Sequence, residues 1–241
     1  MSDAVLRHHQ EVWRKKPILR TLYAQWYEEI VSYLVPGRTL EVGGGTGNLK
    51  ECFPCVLCTD VVKLPWLDAV VDAQRLPFIS RSMANIVLVD SLHHIENVRF
   101  FFDEAVRVLR PGGRIIVMDP YISWLSWPVY RFLHPEAVDF TQDPLSVRSP
   151  DSDRKPFDAN QAVATMLFER SIGDFQNAYP HFKMLTVRRL AFFAYPLSGG
   201  FDHACLLPLC LLKPLLALER ALDRFARFLA FRILVVLEAG I

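Results

Sequence analysis

The densest chemistry in this 241-residue chain lies in Thr39-Leu40-Glu41-Val42-Gly43-Gly44-Gly45-Thr46-Gly47-Asn48. A short apolar run carrying an acid leads into a turn with glycine at 43, 45 and 47. Glycine adopts positive φ at little cost and lets backbone approach a ligand closely. The first N–H groups of a helix opened by such a turn can hold an anionic group such as a carboxylate. The spacing disfavours two common phosphate cradles. G-x-G-x-x-G counted from Gly43 puts its third glycine at Asn48, and counted from Gly44 puts its second at Thr46. A phosphate loop ends in Gly-Lys-Ser/Thr, whereas Gly47 is followed by Asn48 and Leu49.

Acids follow the turn at intervals. Asp60 stands 60 − 41 = 19 positions after Glu41, near where a nucleoside-binding unit places a carboxylate on the two ribose hydroxyls. Asp72, in Asp72-Ala73-Gln74-Arg75-Leu76-Pro77-Phe78, and Asp90, in Asn85-Ile86-Val87-Leu88-Val89-Asp90, come next. His93 and His94 follow Asp90. A histidine there could take a proton near neutral pH, or the pair could serve only to support the turn. Arg148, Asp158 and Asn160 are further candidates in a later loop.

These residues need a scaffold that brings them to one edge. Apolar runs at 38–42, 55–59, 69–71, 85–89 and 114–118 read as strands, ending near Glu41, Asp60, Asp72, Asp90 and Asp119. Helical periodicity covers 4–34, interrupted by Pro17, and 100–109, stopped by Arg110-Pro111-Gly112-Gly113. The first helical stretch either packs on the sheet or covers the cleft as a lid. A helix is expected from Asp158, as N-cap, to about Arg170, and a strand over 184–193. The stretch 143–156, rich in Pro, Ser and Asp, reads as a loop. Strands alternating with helices predict an α/β fold: a doubly wound, Rossmann-like, mostly parallel sheet with helices on both faces. Such sheets bind ligands beyond the carboxyl ends of their strands.

Glu41-x-Gly43-x-Gly45-x-Gly47, Asp72-Ala73-x-x-Leu76-Pro77-Phe78, the run from Asn85 to Ile95, and Leu109-Arg110-Pro111-Gly112-Gly113-Arg114 occur in the order and spacing of one family. Over residues 38–119 the chain resembles the class I S-adenosylmethionine-dependent methyltransferases, in particular their type 11 methyltransferase-domain group. The resemblance implies a seven-stranded sheet with one antiparallel strand. It implies S-adenosylmethionine as cofactor and S-adenosylhomocysteine as product. It makes Glu41, Gly43, Gly45, Gly47, Asp60, Val61, Asp72, Ala73 and Asp90 the cofactor-binding residues, with Asp60 on the ribose and Val61 against the adenine. His93 and His94 become the catalytic candidates, beside catalysis by proximity. Val89-Asp90-Ser91-Leu92 stands where amino-methylating enzymes of nucleic acid bases carry an Asn-Pro-Pro-Tyr-like tetrad, which argues against that group. The implied reaction is methyl transfer to a small-molecule, lipid-linked or glycan-linked acceptor. A non-catalytic cofactor-binding protein is the alternative, and a nicotinamide-dependent oxidoreductase is disfavoured by the failed dinucleotide spacing.

Composition sets the remaining bounds. With 27 basic and 26 acidic side chains the net charge is +1, so bulk charge does not suggest a nucleic-acid partner. The N-terminus lacks a basic region followed by an apolar run, which predicts no secretory leader and a cytoplasmic chain. Cys52, Cys55 and Cys58 are spaced three apart, but neither a nearby histidine nor a fourth cysteine completes a metal site. Cys205 and Cys210 are expected to be packed, and no metal is expected. The hydrophobic fraction is 51%, and much of the excess lies after residue 203. Apolar residues at Leu218, Leu222, Phe225, Leu229, Ile233 and Leu237, with Arg220, Arg224 and Arg227 largely on another face, predict an amphipathic helix. The expected division is therefore 1–37 as an N-terminal helical cap, 38–200 as the cofactor-binding domain, and 201–241 as a helical extension. That extension would pack on the domain, form a homodimer contact, or lie on a membrane surface.

Overall fold

The computed structural model describes residues 2–149, 153–155 and 157–240. One seven-stranded sheet carries the strands in the order β3-β2-β1-β4-β5-β7-β6. These are β1 Thr39–Val42, β2 Leu57–Asp60, β3 Ala69–Val70, β4 Met83–Val89, β5 Leu109–Pro120, β6 Phe182–Leu190 and β7 Arg232–Ala239. The pairs from β3 through β5 are parallel. β7 runs antiparallel to both β5 and β6, so it is the one reversed strand that the resemblance implied.

Strand residues alternate between the two sheet faces. Ile86, Leu88, Ile115 and Val117 pack with Phe101, Phe102, Phe168 and Phe175 on one face. Val87, Ile116 and Met118 pack with Leu19, Trp26 and Ile30 on the other. Both faces are covered, which is why the central strands are apolar throughout rather than alternating with polar residues. The helices α1 Ser2–Lys15 and α2 Pro17–Ser32 meet at Pro17, which occupies the first helical position of α2. They are followed by the single turn α3 Leu49–Cys52, then α4 Val98–Val108 and α5 Ser126–Phe132.

The C-terminal segment is not one continuous amphipathic helix. Leu209–Ala221 is helical, but the continuous helix expected through Leu237 does not form. Ile233, Leu234, Val235, Val236 and Leu237 are all fully buried in β7. The i, i+4 spacing of Leu229, Ile233 and Leu237 misled, because every residue between Ile233 and Leu237 is also apolar. Such a run with β-branched residues belongs to a strand covered on both faces. Residues 201–241 are thus not a separable helical extension, since they supply a central strand. Likewise 1–37 is not a detached cap: α2 buries Leu19, Leu22, Tyr23, Trp26 and Ile30 on the sheet.

Smaller differences follow the same logic. Arg110-Pro111-Gly112-Gly113 does not stand apart as a turn: β5 begins at Leu109, paired with Met83, and absorbs Gly112 at φ +72°. The helix expected from Asp158 starts at Val163 and passes into a π-helical turn at Met166–Arg170. Asp158 instead accepts from the Lys155 backbone N–H at 2.8 Å. Cys205 and Cys210 are exposed, as are Cys52 and Cys55, while Cys58 is buried. Within the stretch 143–156, Pro150, Asp151, Ser152 and Pro156 lie outside the described residues.

Candidate active site

The carboxyl ends of the parallel strands gather most of the selected residues along one edge. At the end of β1, Gly43, Gly45 and Gly47 all have positive φ, at +69°, +45° and +74°. Gly43 is required sterically as well, since a Cβ there would lie 2.5 Å from the Ser91 Cβ. The helix that follows is a single turn, Leu49–Cys52. Glu41 is 3% exposed and sits beneath the turn near Gly44 and Cys58. Burial, added to by the neighbouring Asp60 charge, raises its pKa to about 7, against a hydrogen bond with Cys58 that lowers it. Its Oε2 is buried with no hydrogen-bond partner among the described residues.

Asp60 ends β2 and shapes the turn from the other side. Its Oδ2 accepts from the Gly45 N–H at 3.0 Å and its Oδ1 from the Val62 N–H at 2.9 Å. Burial raises its pKa, opposed by those N–H groups. Val61 beside it is 51% exposed, an apolar side chain left facing outward. Beyond β3, Asp72 is exposed and accepts from the Gln74 N–H at 2.8 Å, while Ala73 is buried.

Asp90 departs from its expected role. It sits at φ +54° after β4; its Oδ2 accepts from the Tyr23 hydroxyl at 2.6 Å, and its Oδ1 accepts from Arg232. The Arg232 guanidinium also reaches the Tyr195 hydroxyl. Both carboxylate oxygens are engaged, so Asp90 ties the β4 end to α2 and β7 rather than offering a free carboxylate to a ligand. Two residues not singled out from the sequence cover the glycine turn: Trp66 Nε1 donates to the Gly45 carbonyl at 2.9 Å, and Gln10 of α1 donates to the Thr46 carbonyl at 3.0 Å. Gln10 and Leu6 lay α1 over the turn, while α2 packs on the sheet.

The histidines open a second cluster, beyond β4 and β5. His93 Nδ1 lies 2.9 Å from Asp119 Oδ1, and His93 Nε2 lies 3.3 Å from Glu136 Oε2. His94 Nε2 is 3.7 Å from Glu136 Oε1. His134 Nδ1 is 3.8 Å from Glu136 Oε2, which also accepts from Gln161 Nε2. Burial opposes the charge on His93, but Asp119 and Glu136 outweigh it and push its pKa up to about 10. Burial, with His93 adjacent, holds His94 down to about 3. Neither ring is set near neutrality as a free proton acceptor.

Backbone pairing builds this cluster. The Gln161 N–H donates to the Ala137 carbonyl at 2.9 Å, the Asn160 N–H to the His93 carbonyl at 3.0 Å, and the Asp139 N–H to Asn160 Oδ1 at 3.0 Å. These bonds draw residues 136–139 and 160–161 onto the turn after β4. Asn160 therefore acts through its loop bonds. Arg148 pairs through its backbone with Asn97 and through its side chain with Gln142, which does not bring it into the cluster. Asp119 and Glu136 were not among the sequence candidates. Asp119 ends a parallel strand, as do Asp60 and Asp90, and that rule could have found it; Glu136 carries no local signal.

Residues 40–117 match the Methyltransferase domain family. The ubiquinone/menaquinone biosynthesis C-methyltransferase of Cereibacter sphaeroides is 25% identical over 140 residues, 44% of this chain and 55% of that protein. The phthiotriol/phenolphthiotriol dimycocerosates methyltransferase of Mycobacterium tuberculosis is 41% identical over 83 residues, 34% of this chain and 30% of that protein. The chain thus spans about half the length of the former and less of the latter. In fold it is similar to an S-adenosylmethionine-dependent methyltransferase from Thermotoga maritima, with TM-score 0.58 and 15% identity over 100% of both chains. It is also similar to the [4+2]-cyclase SpnF, with TM-score 0.51 and 14% identity over 90% of this chain and 81% of that one. The residues fit the cofactor of this family: a positive-φ turn for close backbone approach, an orphaned buried Glu41 oxygen beneath it, and acids at the ends of β2 and β3. Residues 40–117 thus match the methyltransferase-domain family, and the whole chain has the seven-stranded, Rossmann-like fold of the methyltransferase structures it resembles.

Proposed function

We propose that this protein transfers the sulfonium methyl of S-adenosylmethionine to an acceptor with a large apolar part, such as a lipid-linked intermediate. One observation carries the acceptor side: the segment that follows β5 presents an exposed aromatic surface. Trp124, Phe132 and Leu133 are 82%, 71% and 65% exposed. Trp124 packs edge-on against Phe228, and Trp127 against Phe132. Ile122, Ser123, Trp124, Trp127 and Arg170 line a groove of about 330 Å³, of a size that suits an apolar chain. The two curated relatives are named for acceptors in quinone and mycocerosate chemistry, which supports the same class.

In this reading the glycine turn and Glu41 hold the amino-acid end of the cofactor, Asp60 its ribose, and Val61, Asp72 and Ala73 its adenine. The methyl group is then presented toward the ends of β4 and β5. His93 and His94 stand on the acceptor side and orient the nucleophile, so much of the rate comes from alignment. Among the described residues no helix is long and apolar enough to cross a membrane. We place acceptor collection at a membrane surface, through Trp124, Phe228 and the exposed Leu209 and Leu211, with the exposed Arg131 and Arg224 available to anionic headgroups. Incubation with methyl-labelled cofactor and fractionated extract tests the reaction. Label in the lipid fraction is expected. Label confined to polymer, or cofactor binding without turnover on any fraction, would overturn it.

A further inference from the structure

The cysteine triplet is a poor metal site, but a better one assembles from residues far apart in sequence. His93 Nε2, His94 Nε2 and a Glu136 carboxylate oxygen all lie within 4.8 Å of one another. Their separations from Glu136 are 3.3 Å and 3.7 Å. Around an ion bound at about 2.0–2.2 Å, neighbouring donors stand roughly 3–3.5 Å apart, so small side-chain adjustments close the set. The surroundings are those that metal sites use. Asp119, fully buried, faces His93 Nδ1 at 2.9 Å, which places the Nδ1 proton on the carboxylate side and turns the Nε2 lone pair toward Glu136. That lone pair cannot face a carboxylate oxygen at 3.3 Å without a cation between them, either a proton or a metal. Gln161, 2% exposed, donates to Glu136, and its buried Oε1 has no partner among the described residues. The His94 and Glu136 side chains are 21% and 19% exposed, which leaves one side of the cluster open.

We propose that His93, His94 and Glu136 bind a divalent first-row transition-metal ion, with its remaining positions open to an oxygen of the methyl acceptor. Two imidazoles and one carboxylate select zinc, cobalt, manganese or iron(II) over magnesium and calcium. The ion would hold and polarise that oxygen opposite the sulfonium methyl. The role toward the acceptor rests on the methyltransferase reading; the binding of the ion does not.

The test uses full-length protein stripped with a chelator and titrated with cobalt(II), read by visible absorption, and with zinc(II), read by calorimetry. S-adenosylhomocysteine affinity and the metal-free melting temperature are measured on the same samples. One equivalent is expected to bind. Glu136→Gln and His94→Ala should each weaken it at least tenfold while cofactor affinity stays within about twofold. No binding by the wild type would show that a proton alone bridges His93 and Glu136, and would overturn the proposal. Undiminished binding by a variant carrying both Glu136→Gln and His94→Ala, which would place the ion elsewhere, as on the exposed cysteines, would overturn it too. Loss of S-adenosylhomocysteine binding with cobalt binding intact would strike the cofactor reading and leave the metal site standing.

Discussion

The glycine-turn end of the molecule and the histidine end are built by different means. The first is local in its backbone: Gly43, Gly45 and Asp60 fall within 18 residues, and the Asp60 carboxylate that holds the turn reaches Gly45 across only 15, although Gln10 of α1 covers the turn from farther away. The second is assembled from distance: His93 to Asp119 spans 26 residues, Glu136 reaches Gln161 across 25, and Arg232 reaches Asp90 across 142. A site made of backbone conformation leaves its mark as a motif. A site made of side chains converging from separate loops leaves only scattered residues, each unremarkable where it stands.

The most severe way to probe this contrast is to remove the distant element. Truncation after Gly200 deletes β7, which pairs with both β5 and β6, and is expected to abolish cooperative folding by circular dichroism. Leu234→Ala, at a fully buried position, should lower stability by about 3 kcal/mol in urea melts. A folded truncation would show that the C-terminal segment is an appendage after all. Next comes the local element. Gly43→Ala forces a Cβ to within 2.5 Å of Ser91 at a positive φ, and a loss of S-adenosylhomocysteine affinity of about a hundredfold is expected, on the order of 3 kcal/mol.

Glu41 tests the buried side of the turn by pH. Its pKa rises from an ordinary 4.5 to about 7 on folding, chiefly through burial. The folded state therefore binds the extra proton between those values. The stability linked to Glu41 should fall as pH rises from 4.5 to about 7 and then level off, a change on the order of 3 kcal/mol. Glu41→Gln should flatten that part of the profile in melts from pH 5 to pH 8; an unchanged profile would mean Glu41 is not the group. Asp60→Ala should weaken S-adenosylhomocysteine about tenfold, the loss of one charge-assisted hydrogen-bonding group. The smallest effect belongs to the outer rim: Trp124→Ala with Phe228→Ala should reduce flotation with anionic vesicles several-fold at an unchanged melting temperature.

What could be read in advance follows the same division. The strands to β5, the positive-φ turn and the acid ending β2 were legible because each is a property of contiguous residues. Asp90 was selected by position, yet its carboxylate is taken by Tyr23 of α2 and Arg232 of β7, partners that only the folded chain brings to it. β7 was mistaken for helix because its apolar run satisfies both periodicities, and only its insertion between β5 and β6 decides between them. Glu136 was missed because nothing in Leu133-His134-Pro135-Glu136 announces that pairing with Asn160 and Gln161 will carry it to His93.

The claim on which the rest depends is that the glycine turn is one wall of an S-adenosylmethionine cleft. Titration calorimetry of the wild type and Gly43→Ala with S-adenosylhomocysteine and with NAD tests it directly. The account predicts one S-adenosylhomocysteine site in the wild type, abolished or strongly weakened in the variant, and no NAD binding. NAD binding without S-adenosylhomocysteine binding, or an affinity for S-adenosylhomocysteine untouched by Gly43→Ala, would contradict it.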